Sequence, residues 1–599
     1  DFVNSAGGTV TVQGVSTLPP VDENTPFVDP DGLVTDPVYP AQYYEISTDI
    51  EGNFVTDIGL SYSILPGIDS PNTLRLAKRP GNSGTSEPWQ LIAVADTEVD
   101  TVTGQVVAKN QSSFSQWALI SNSTDNSFMD TKGPTATSLT LNPLEPGVLV
   151  DAQVSVNVSD DTGVESVTLY YAPGGSDSYS STAMVNDGQG TYSGTIPGSS
   201  VTQSGLLYYV MSQDVLGFSS SSDTLGAAVN FASGTLTTNS ASGSAYPTGL
   251  PMDAWRLIST PAVLNETGLT QVFDELGTQD NTVWRVFRYD DVSNTYKDNP
   301  VDLNSTESYW IYQKTEDNLT MDTPAGKTGD MSGTEITLKT GWNFIGSPYP
   351  FQVPLQLDQV QFYGPLTYGI SGESWSPVVT ELDPWNGYVV YNRMSTDQII
   401  TLDPSIGSGA TVARKVEESG WLMSLDLSSG THGDHINTLG ALETAEDALE
   451  WHDNPEIRSP GTGVSLFFKL DGEALELTSD IRSLGQQVNV WDMHVRSDTD
   501  SDVDLSWSVI QDLPANVDIR LVDLSTRKVI NMKSETQLFF GTLDSRYDRK
   551  VKIIAGDESD VAARIGDVLS MIPEELSISG NYPNPFNPST TIKYGLPEP

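Results

Sequence analysis

The chain has four histidines and no cysteine, so a transition-metal site would have to use imidazole and carboxylate groups. The stretch THGDHIN places His432, Asp434 and His435 in one predicted loop. The stretch EWHDNPE adds His452 near a later turn. These side chains could bind Zn²⁺ or a related metal if the two loops meet in the fold. Because H-x-x-H spacing also occurs in ordinary polar loops, solvated loop residues are the alternative interpretation.

Calcium is the second metal for which the sequence offers ligands, because it binds carboxylate and carbonyl oxygens from Asp-rich turns. One acidic cluster, VDPDGLVTD, contains Asp29, Asp31 and Asp36. The other, formed by VSDDTGVE and SQDVLG, contains Asp160, Asp161, Glu165 and Asp214. Neither matches the D-x-[DN]-x-[DN]-G-x₅-E loop, and Asp is also an ordinary turn residue. Ca²⁺ is therefore the cofactor that the sequence favours, with plain acidic turns as the alternative.

Tryptophans in turns could form a platform for stacking against sugar rings. Trp375 in ESWSP and Trp385 in DPWNGY lie in predicted turns, so we expect these two to be exposed. Trp310 belongs to the same region but lies in a predicted strand. The sequence therefore predicts a candidate carbohydrate contact at the first two tryptophans.

No familiar catalytic motif is present: the chain lacks G-x-S-x-G, H-E-x-x-H, the P-loop and G-x-G-x-x-G. Among 79 acidic residues some pair will always have the spacing of glycosidase carboxylates, so such a pair indicates nothing. We expect that the chain is not an enzyme.

The charge balance narrows the range of partners. There are 79 acidic and 29 basic residues, which gives a formal net charge of −50 at pH 7. Such a surface repels phosphate backbones and anionic lipid, so we expect no nucleic-acid partner. No stretch reaches the roughly 18 apolar residues of a membrane span, so we expect no direct membrane span. The opening DFVNSAGGTV lacks Met, a basic segment and an apolar segment, and we expect a processed or truncated start.

The elements that position these residues are short strands. A chain of 599 residues exceeds the roughly 250–300 residues of a single core, so several domains are expected. Apolar and polar residues alternate between Pro-, Gly- and Asn-rich turns, which predicts an all-β fold of tandem β-sandwich domains. Residues 1–128 are predicted to form the first module. Residues 129–240, with VSVNVSDDTGVESVTLYY, resemble an immunoglobulin-like or fibronectin-type sandwich.

Residues 241–410 contain an internal repeat. AWRLISTP, around Trp255, returns 87 positions later as GWNFIGSPYP. SYWIYQKTEDNLTMDTP, around Tyr309, returns 79 positions later as GYVVYNRMSTDQIITLDP. Two matched strand pairs in the same order predict a duplicated β-rich domain, with halves at about 250–335 and 336–405.

Residues 411–557 are predicted to form a last β-sandwich of about eight strands. Its alternating segments predict that the inward-facing residues, or their immediate neighbours, are Trp421, Leu466, Phe468, Val488, Trp491, Leu505 and Trp507. The segment LGALETAEDALEWHD has helical spacing and predicts a short helix or a long loop on the sandwich. Residues 558–577 are predicted to form a linker, partly helical.

The end of the chain, NYPNPFNPSTTIKYGLPEP, differs from the rest. Its prolines fix φ and remove backbone donors, so residues 581–588 must be extended or turned, and one strand follows. The stretch closely resembles the opening of the type A C-terminal sorting domain of type IX secretion substrates, found in Bacteroidota and neighbouring phyla. The residues that carry the resemblance are Asn581, Tyr582, Pro583, Asn584, Pro585, Phe586, Asn587 and Pro588.

This resemblance implies a small β-sandwich that directs export across the outer membrane and is then usually removed. The given sequence stops after the first strand of that pattern, so we expect residues 578–599 to be the start of a truncated sorting domain. The implied partner is the type IX secretion machinery, and the implied location is extracellular or on the outer cell surface.

Together these observations predict a secreted, cell-surface structural or adhesive protein. Sandwich arrays leave edge strands that can add to a neighbouring chain, so self-assembly into a filament or sheath is a further expectation. The alternative is a carbohydrate-binding accessory region of a larger secreted enzyme, whose partner would be a surface polysaccharide.

Overall fold

The structure is a computed structural model, and it describes residues 9–19, 27–49, 54–79, 87–369, 373–405, 418–461, 463–511, 513–573, 576–585 and 588–595. Phe586 and Asn587 of the terminal motif lie outside the described residues. The protein is an all-β array of tandem β-sandwich domains. The helices within the described ranges are α1 (Leu269–Val272), α2 (Glu558–Ser570) and the short 3₁₀ turns Pro71–Thr73, Val94–Asp96, Gly198–Ser200 and Asp274–Leu276. Neither α-helix has the length and apolarity that crossing a bilayer requires.

The first module is a sandwich of two sheets. Its strands are β1 (Val10–Val15), β2 (Phe27–Val28), β3 (Pro37–Val38), β4 (Tyr43–Thr48), β5 (Thr56–Ser61), β6 (Arg75–Arg79), β7 (Trp89–Leu91), β8 (Thr97–Asp100), β9 (Gln105–Gln111) and β10 (Gln116–Asn122). The larger sheet has the order β1-β4-β10-β6-β7-β2 with β3 beside β10, and the smaller sheet has the order β5-β9-β8. Ile58, Leu76 and Trp117 belong to the core between them.

The second module is also a sandwich of two sheets. Its strands are β11 (Thr135–Asn142), β12 (Ala152–Ser159), β13 (Val164–Pro173), β14 (Ser180–Ala183), β15 (Val185–Asn186), β16 (Thr191–Ile196), β17 (Leu206–Asp214), β18 (Ser219–Ser221) and β19 (Leu225–Ala227). One sheet has the order β11-β12-β16-β15, and the other has the order β14-β13-β17-β18 with β19 beside β17. Val154, Val156 and Val158 all point into the core, as the period of two along a half-buried strand requires.

The third module contains several small sheets. Its strands are β20 (Asn230–Phe231), β21 (Arg256–Ile258), β22 (Val263–Leu264), β23 (Trp284–Asp290), β24 (Thr295–Asp298), β25 (Tyr309–Gln313), β26 (Gly326–Lys327), β27 (Thr334–Leu338), β28 (Gly341–Gly346), β29 (Val353–Pro354), β30 (Phe362–Leu366), β31 (Glu381–Leu382), β32 (Gly387–Asn392) and β33 (Gln398–Leu402). Strand β20, which precedes residue 240, pairs with β26 of the third module and also bridges to Gly147 of the second.

The two halves of the third module have the same strand register. Ile258 pairs with Tyr309 between the antiparallel strands β21 and β25. Ile345, 87 positions after Ile258, pairs with Tyr388, 79 positions after Tyr309, between β28 and β32. The spacing of the sequence repeat is therefore also the spacing of the paired strands.

Backbone bridges join the two halves reciprocally. Ile258 bridges to Asn386 in the second half, and Ile345 bridges to Glu307 in the first half. The four residues occupy equivalent positions, since Asn386 follows Glu307 by 79 residues. Each half thus uses the same surface to bind the other, as subunits related by a two-fold axis do.

The fourth module is one eleven-stranded sheet that curls around a single core. Its strands are β34 (Gly420–Ser429), β35 (His432–Leu442), β36 (Asn454–Pro455), β37 (Val464–Lys469), β38 (Glu476–Ser483), β39 (Val488–Ser497), β40 (Ser501–Gln511), β41 (Asp518–Asp523), β42 (Val529–Asn531), β43 (Gln537–Leu543) and β44 (Arg549–Gly556). The order is β42-β41-β44-β39-β37-β38-β35-β34-β40-β43, with β36 beside β38.

Most of the inward-facing residues predicted for this module are in its core. The buried ones are Trp421, Leu466, Phe468, Trp491, Leu505 and Trp507. Val488 instead packs on the outer face of the sheet, beside α2. Of the two structures predicted for LGALETAEDALEWHD, the helix is wrong and the loop is confirmed: Leu439 and Ala441 lie in β35 and face the core, and residues 443–453 form a loop. Burial of alternate residues in a long sheet outweighed local helix propensity.

The segment predicted as a linker is largely a docked helix. Helix α2 buries Val561 and Val568 against Ile554 of β44. Near its C-terminal end, the Arg527 guanidinium donates hydrogen bonds to the carbonyls of Leu569 and Ile572, each at 3.2 Å. A basic side chain is favourable there because the last carbonyls of a helix lack intrahelical donors.

Equivalent tyrosines stabilise turns in both halves of the third module. Tyr309 Oη accepts a hydrogen bond from the backbone N–H of Asn304 at 2.7 Å, and Tyr388 Oη accepts one from the N–H of Asp383 at 2.6 Å. Both tyrosines are buried. Each hydroxyl therefore satisfies a backbone donor five residues before its own position.

We expect Tyr388→Phe to destabilise the third module by about 1–3 kcal/mol, because it leaves a backbone N–H without its acceptor. The measurement is native-state hydrogen exchange by mass spectrometry, in which peptides of the third module should exchange faster. Tyr309→Phe should have a similar effect. Tyr547→Phe, at an exposed position of the fourth module, is the control and should change protection little. Unchanged exchange in both buried variants would contradict the equivalence of the two turns.

Candidate functional site

Three carboxylates meet close to the junction of the first and second modules. One ligand oxygen from each of Asp130, Asp160 and Asp214 lies within 4.8 Å of the other two. Asp160 and Asp214 belong to a predicted calcium cluster, whereas Asp130 lies in the connection between β10 and β11. Asp130 was not predicted from the sequence, because only the packing of the connection against the second module brings it to the loops. We refer to these three residues as the junction triad.

Thr162 organises two members of the junction triad. Its hydroxyl lies 2.6 Å from Asp130 Oδ2 and 2.9 Å from Asp160 Oδ1. Asp160 Oδ1 also accepts hydrogen bonds from the backbone N–H groups of Thr162 and Gly163. Burial opposes ionisation of Asp130, but hydrogen bonds from the Thr162 hydroxyl and the Lys132 amide help to keep its pKa below the ordinary value. Asp130 is therefore held as a carboxylate.

Asp214 is the most deeply buried member of the triad. Its side chain has no exposed surface, and Oδ1 accepts hydrogen bonds from the amides of Leu216 and Phe218 at 2.7 and 2.9 Å. Its Oδ2 is buried and has no hydrogen-bond partner. A buried carboxylate oxygen without a partner is costly, so the position calls for a group that balances it.

The other residues of that predicted cluster do not join the triad. Asp161 Oδ2 accepts a hydrogen bond from the backbone N–H of Gly67 in the first module at 2.6 Å. Glu165 is exposed on β13. Their inclusion in the predicted calcium site is wrong, because neighbouring positions in a loop and a strand point in different directions.

The cluster VDPDGLVTD is built around an arginine. Arg75 lies 2.6 Å from Asp31 Oδ2 and 3.8 Å from Asp29 Oδ1. Asp29 also accepts backbone hydrogen bonds within its own turn, from residues 31, 33 and 34, while Asp36 accepts one from the Ser123 hydroxyl. The guanidinium balances the charge here, so the predicted calcium site at Asp29, Asp31 and Asp36 is wrong.

The histidine loops do not converge. His432 Nδ1 lies 2.9 Å from Glu373, whereas His435 Nδ1 lies 3.5 Å from Asp426. Asp434 points inward and accepts a hydrogen bond from the amide of Leu466 at 2.7 Å.

His452 has its own pair of carboxylates, with Nδ1 at 2.5 Å from Glu450 and Nε2 at 3.0 Å from Glu418. Among the described residues, the groups able to hold a metal contain no histidine. The predicted transition-metal site at His432, Asp434, His435 and His452 is therefore wrong.

The contacts of His452 favour its charged form. Burial opposes protonation, but hydrogen bonds to Glu450 and Glu418 outweigh it and raise the pKa of His452 above 6.5. The loop at residue 452 is thereby joined to the segment that enters the fourth module. This histidine is structural.

A cavity of about 180 Å³ lies between the third and fourth modules. Asp434 and Glu456 are among its lining residues, and burial raises the pKa of both above their ordinary values. Asp434 Oδ1 is buried without a hydrogen-bond partner. The two acids repel each other when both are ionised, which favours retention of a proton. The cavity is smaller than the roughly 300–1,000 Å³ of ordinary ligand pockets.

The predicted sugar-stacking tryptophans are both buried. Trp375 packs edge-on against Trp310 and Tyr368, with ring centroids 5.5 and 5.2 Å apart. Trp385 has no exposed surface, and its indole N–H donates to the carbonyl of Thr237 at 3.1 Å. The prediction of an exposed platform at Trp375 and Trp385 is wrong, because packing within and between modules covers both turns.

A second acidic group comprises Asp274, Glu275 and Asp322 in the third module. Burial raises the pKa of Glu275 to about 7. Glu275 accepts a hydrogen bond from the backbone N–H of Asp322, and its other oxygen is buried without a partner. Glu275 therefore retains a proton more readily than an ordinary glutamate.

The terminal motif forms a hairpin. Strand β45 (Ser577–Tyr582) pairs antiparallel with β46 (Thr591–Gly595), so Asn581 and Tyr582 lie in a strand that the sequence did not predict. The described prolines Pro583, Pro585 and Pro588 and the residue Asn584 lie between the strands. The apolar side chains that remain mostly exposed are Ile578, Tyr582, Ile592 and Tyr594. Two strands have too little surface to bury these side chains by themselves.

Comparisons with known proteins give little guidance. No family model matches the chain, and no curated protein matches it. Among solved structures, the chain is similar to the N-terminal eight Ig domains of Down Syndrome Cell Adhesion Molecule (DSCAM) isoform 1.30.30. The identity is 9% and the TM-score is 0.13, over 92% of this chain and 91% of that chain. A TM-score this low carries no argument about function.

We expect His452→Gln to destabilise the fourth module by about 1–2 kcal/mol at pH 6 and by less at pH 9. Because the folded-state pKa of His452 is raised, its stabilisation is fully present below the unfolded-state value of about 6.5. It is lost as the pH rises through the folded-state pKa. The measurement is hydrogen exchange of fourth-module peptides in urea at both pH values, with each variant compared with the wild type.

His435→Gln is the matched control, since it makes the same substitution at a side chain that is 45% exposed in the same module. It should change stability by less than about 0.5 kcal/mol at either pH. A destabilisation by His452→Gln that is equal at pH 6 and pH 9 would contradict the ion-pair explanation.

Proposed function

We propose that this chain is a secreted structural or adhesive protein displayed at the outer cell surface and exported by the type IX secretion system. The observation that carries the structural part is the packing of the second, third and fourth modules through buried apolar contacts. Such contacts hold modules in a fixed relation, whereas small polar interfaces allow relative motion.

Glycines of the second module fit closely against the third module. Gly174 and Gly175 lie against the Phe351 ring, so that a Cβ at Gly175 would be 2.6 Å from a ring carbon. Leu207 belongs to the same apolar core as Phe351 and Met331. The second and third modules therefore share one buried apolar core at their contact. A shared core restricts movement of one module against the other.

The third and fourth modules share a second apolar cluster. Ile457 of the fourth module packs with Trp310 and Phe344 of the third. Arg393 Nη1 donates a hydrogen bond to the Asp453 carbonyl at 2.7 Å. A Cβ at Gly461 would lie 2.4 Å from the indole of Trp255, so the two surfaces are in direct contact. These contacts also support a fixed arrangement of the third and fourth modules.

The terminal hairpin supports the export part of the proposal. It carries the motif that resembles a type A sorting domain, and its apolar side chains are mostly exposed. Exposed apolar side chains of this kind suit a surface that another protein recognises.

The alternative function, a carbohydrate-binding accessory region, was based on two tryptophans that were predicted to be exposed. A stacking site needs an exposed aromatic face, and Trp375 and Trp385 are both buried. The structural or adhesive function is therefore the one we propose.

Deletion from Ile578 to the natural C-terminus should abolish appearance of the protein outside cells of its natural host, because the sorting element is removed. The measurement is immunoblotting of culture medium, cell surface and periplasm, in the parent strain and in a strain that lacks the type IX translocon. Deletion of residues 1–128 is the control and should leave export intact. Equal export with and without the terminal segment would contradict the proposed route.

Gly461→Val should loosen the junction of the third and fourth modules, because the new side chain meets Trp255. Gly463→Val is the matched control, since a Cβ there meets no atom within 4 Å. Negative-stain class averages should show a broader range of angles between the modules in the first variant and a wild-type range in the second. A wild-type range in both variants would contradict a junction fixed by close packing.

The same microscopy of natively secreted wild-type material tests self-assembly. We expect ordered fibres or sheets that contain this chain, because exposed sheet edges can pair between copies. Dispersed single rods would contradict the filament part of the proposal and leave a monomeric surface protein.

A further inference from the structure

We propose that Asp130, Asp160 and Asp214 bind a calcium ion that fixes the first module relative to the second. The inference concerns this junction alone and does not depend on the route of export or on self-assembly. It rests on the burial of the triad, its charge, and its place at the connection that leads from the first module into the second.

The charge of the junction triad lacks a cationic partner. Three carboxylates lie within 4.8 Å of one another, and no salt bridge within the described ranges includes any of them. Thr162 and several backbone amides supply hydrogen bonds to Asp130, to Asp160 and to one oxygen of Asp214. They leave Asp214 Oδ2 buried and unpartnered. A bound cation would supply the missing interaction, because buried charges in proteins are paired or coordinate metals.

The ligand set selects a hard cation. All three side chains offer oxygen, which Ca²⁺ and Mg²⁺ prefer to the nitrogen and sulfur ligands of Zn²⁺. Ca²⁺ binds oxygens at about 2.3–2.6 Å, so ligands on opposite sides of the ion are about 4.6–5.2 Å apart. The spread of the triad fits within that sphere. Mg²⁺ requires shorter distances and near-octahedral geometry, so loop carboxylates of this kind suit Ca²⁺ better.

The first junction differs from the other two in what holds it together. None of the apolar clusters among the described residues joins the first and second modules. The contacts between them are polar: the Gly67 amide donates to Asp161, and Lys132 pairs with Asp69 at 2.6 Å. Exposed ion pairs of this kind contribute little to stability. An ion at the triad would strengthen a junction that lacks an apolar core.

The position of the triad determines which parts of the chain a bound ion would hold together. Asp130 belongs to the connection between β10 and β11, whereas Asp160 and Asp214 belong to loops of the second module. An ion that binds all three would attach the connection to the second module immediately before β11. The Gly67 amide of the first module donates to Asp161, which follows Asp160 in sequence, so the ion would fix the loop that the first module already contacts.

Isothermal titration of the chelator-treated full chain with CaCl₂ tests the binding. The wild type should show a site whose affinity falls at least about tenfold in Asp214→Asn and in Asp160→Asn, because each removes a charged ligand. Asp223→Asn, at an exposed position of the same module, makes the same charge change and should bind like the wild type. Glu275→Gln tests the second acidic group and should also leave this site unchanged.

Wild-type affinity in both triad variants, or no calcium binding by the wild type, would overturn the proposal. Circular dichroism in chelator establishes whether each variant folds. If Asp214→Asn fails to fold, Asp160→Asn decides, since residue 160 is only partly buried.

A distance measurement tests the effect on the junction. The chain contains no cysteine, so cysteines at the exposed positions Val102 and Val185 can be spin-labelled without competition. In the wild type, the distribution of distances between the labels should narrow on addition of Ca²⁺. It should not narrow in Asp160→Asn, nor with NaCl of equal ionic strength, which controls for screening of the net charge of −50. If the wild type binds Ca²⁺ but its distribution of label distances has the same width with and without Ca²⁺, the ion does not fix the junction.

Discussion

The exchange of backbone bridges between the halves of the third module is the interaction on which the array depends. Ile258 bridges to Asn386 and Ile345 bridges to Glu307, so neither half has its complete set of neighbours alone. Trp385 of the second half completes a core formed mainly by the first half. The second module packs on one surface of this unit and the fourth on another. A duplicated sequence has thus become a central body on which its neighbours can dock.

The large number of acidic residues constrains how the folded chain can bury carboxylates. With a net charge of −50, the chain must balance or protonate those carboxylates that it buries. Arg75 balances the acidic turn of the first module, while burial raises the pKa of Asp453 to about 7 and that of Asp480 to about 6 in the fourth. The junction triad differs from the acidic turn of the first module, because no basic side chain of the described chain forms a salt bridge with it. This difference is the physical basis for assigning an ion to it.

Strand periodicity predicted the cores well and the sites poorly. Alternation correctly identified Trp421, Leu466 and Trp491 as buried, because a half-buried strand exposes every second side chain whatever its neighbours are. Turn chemistry suggested that Trp385 is exposed, but another part of the third module covers that turn. Helical spacing around Leu439 was also misleading, because the long sheet of the fourth module extends through that segment.

The sequence by itself determined the all-β class and the internal repeat, because alternation and the spacing of strand pairs are recorded locally along the chain. It also placed Asp160 and Asp214 among the acidic turns. Only the tertiary structure decided that Asp130 joins them, and that the carboxylates beside His452 come from separate segments. Such contacts depend on how sheets and modules pack, and packing brings together residues whose separation in sequence gives no sign of their proximity in space.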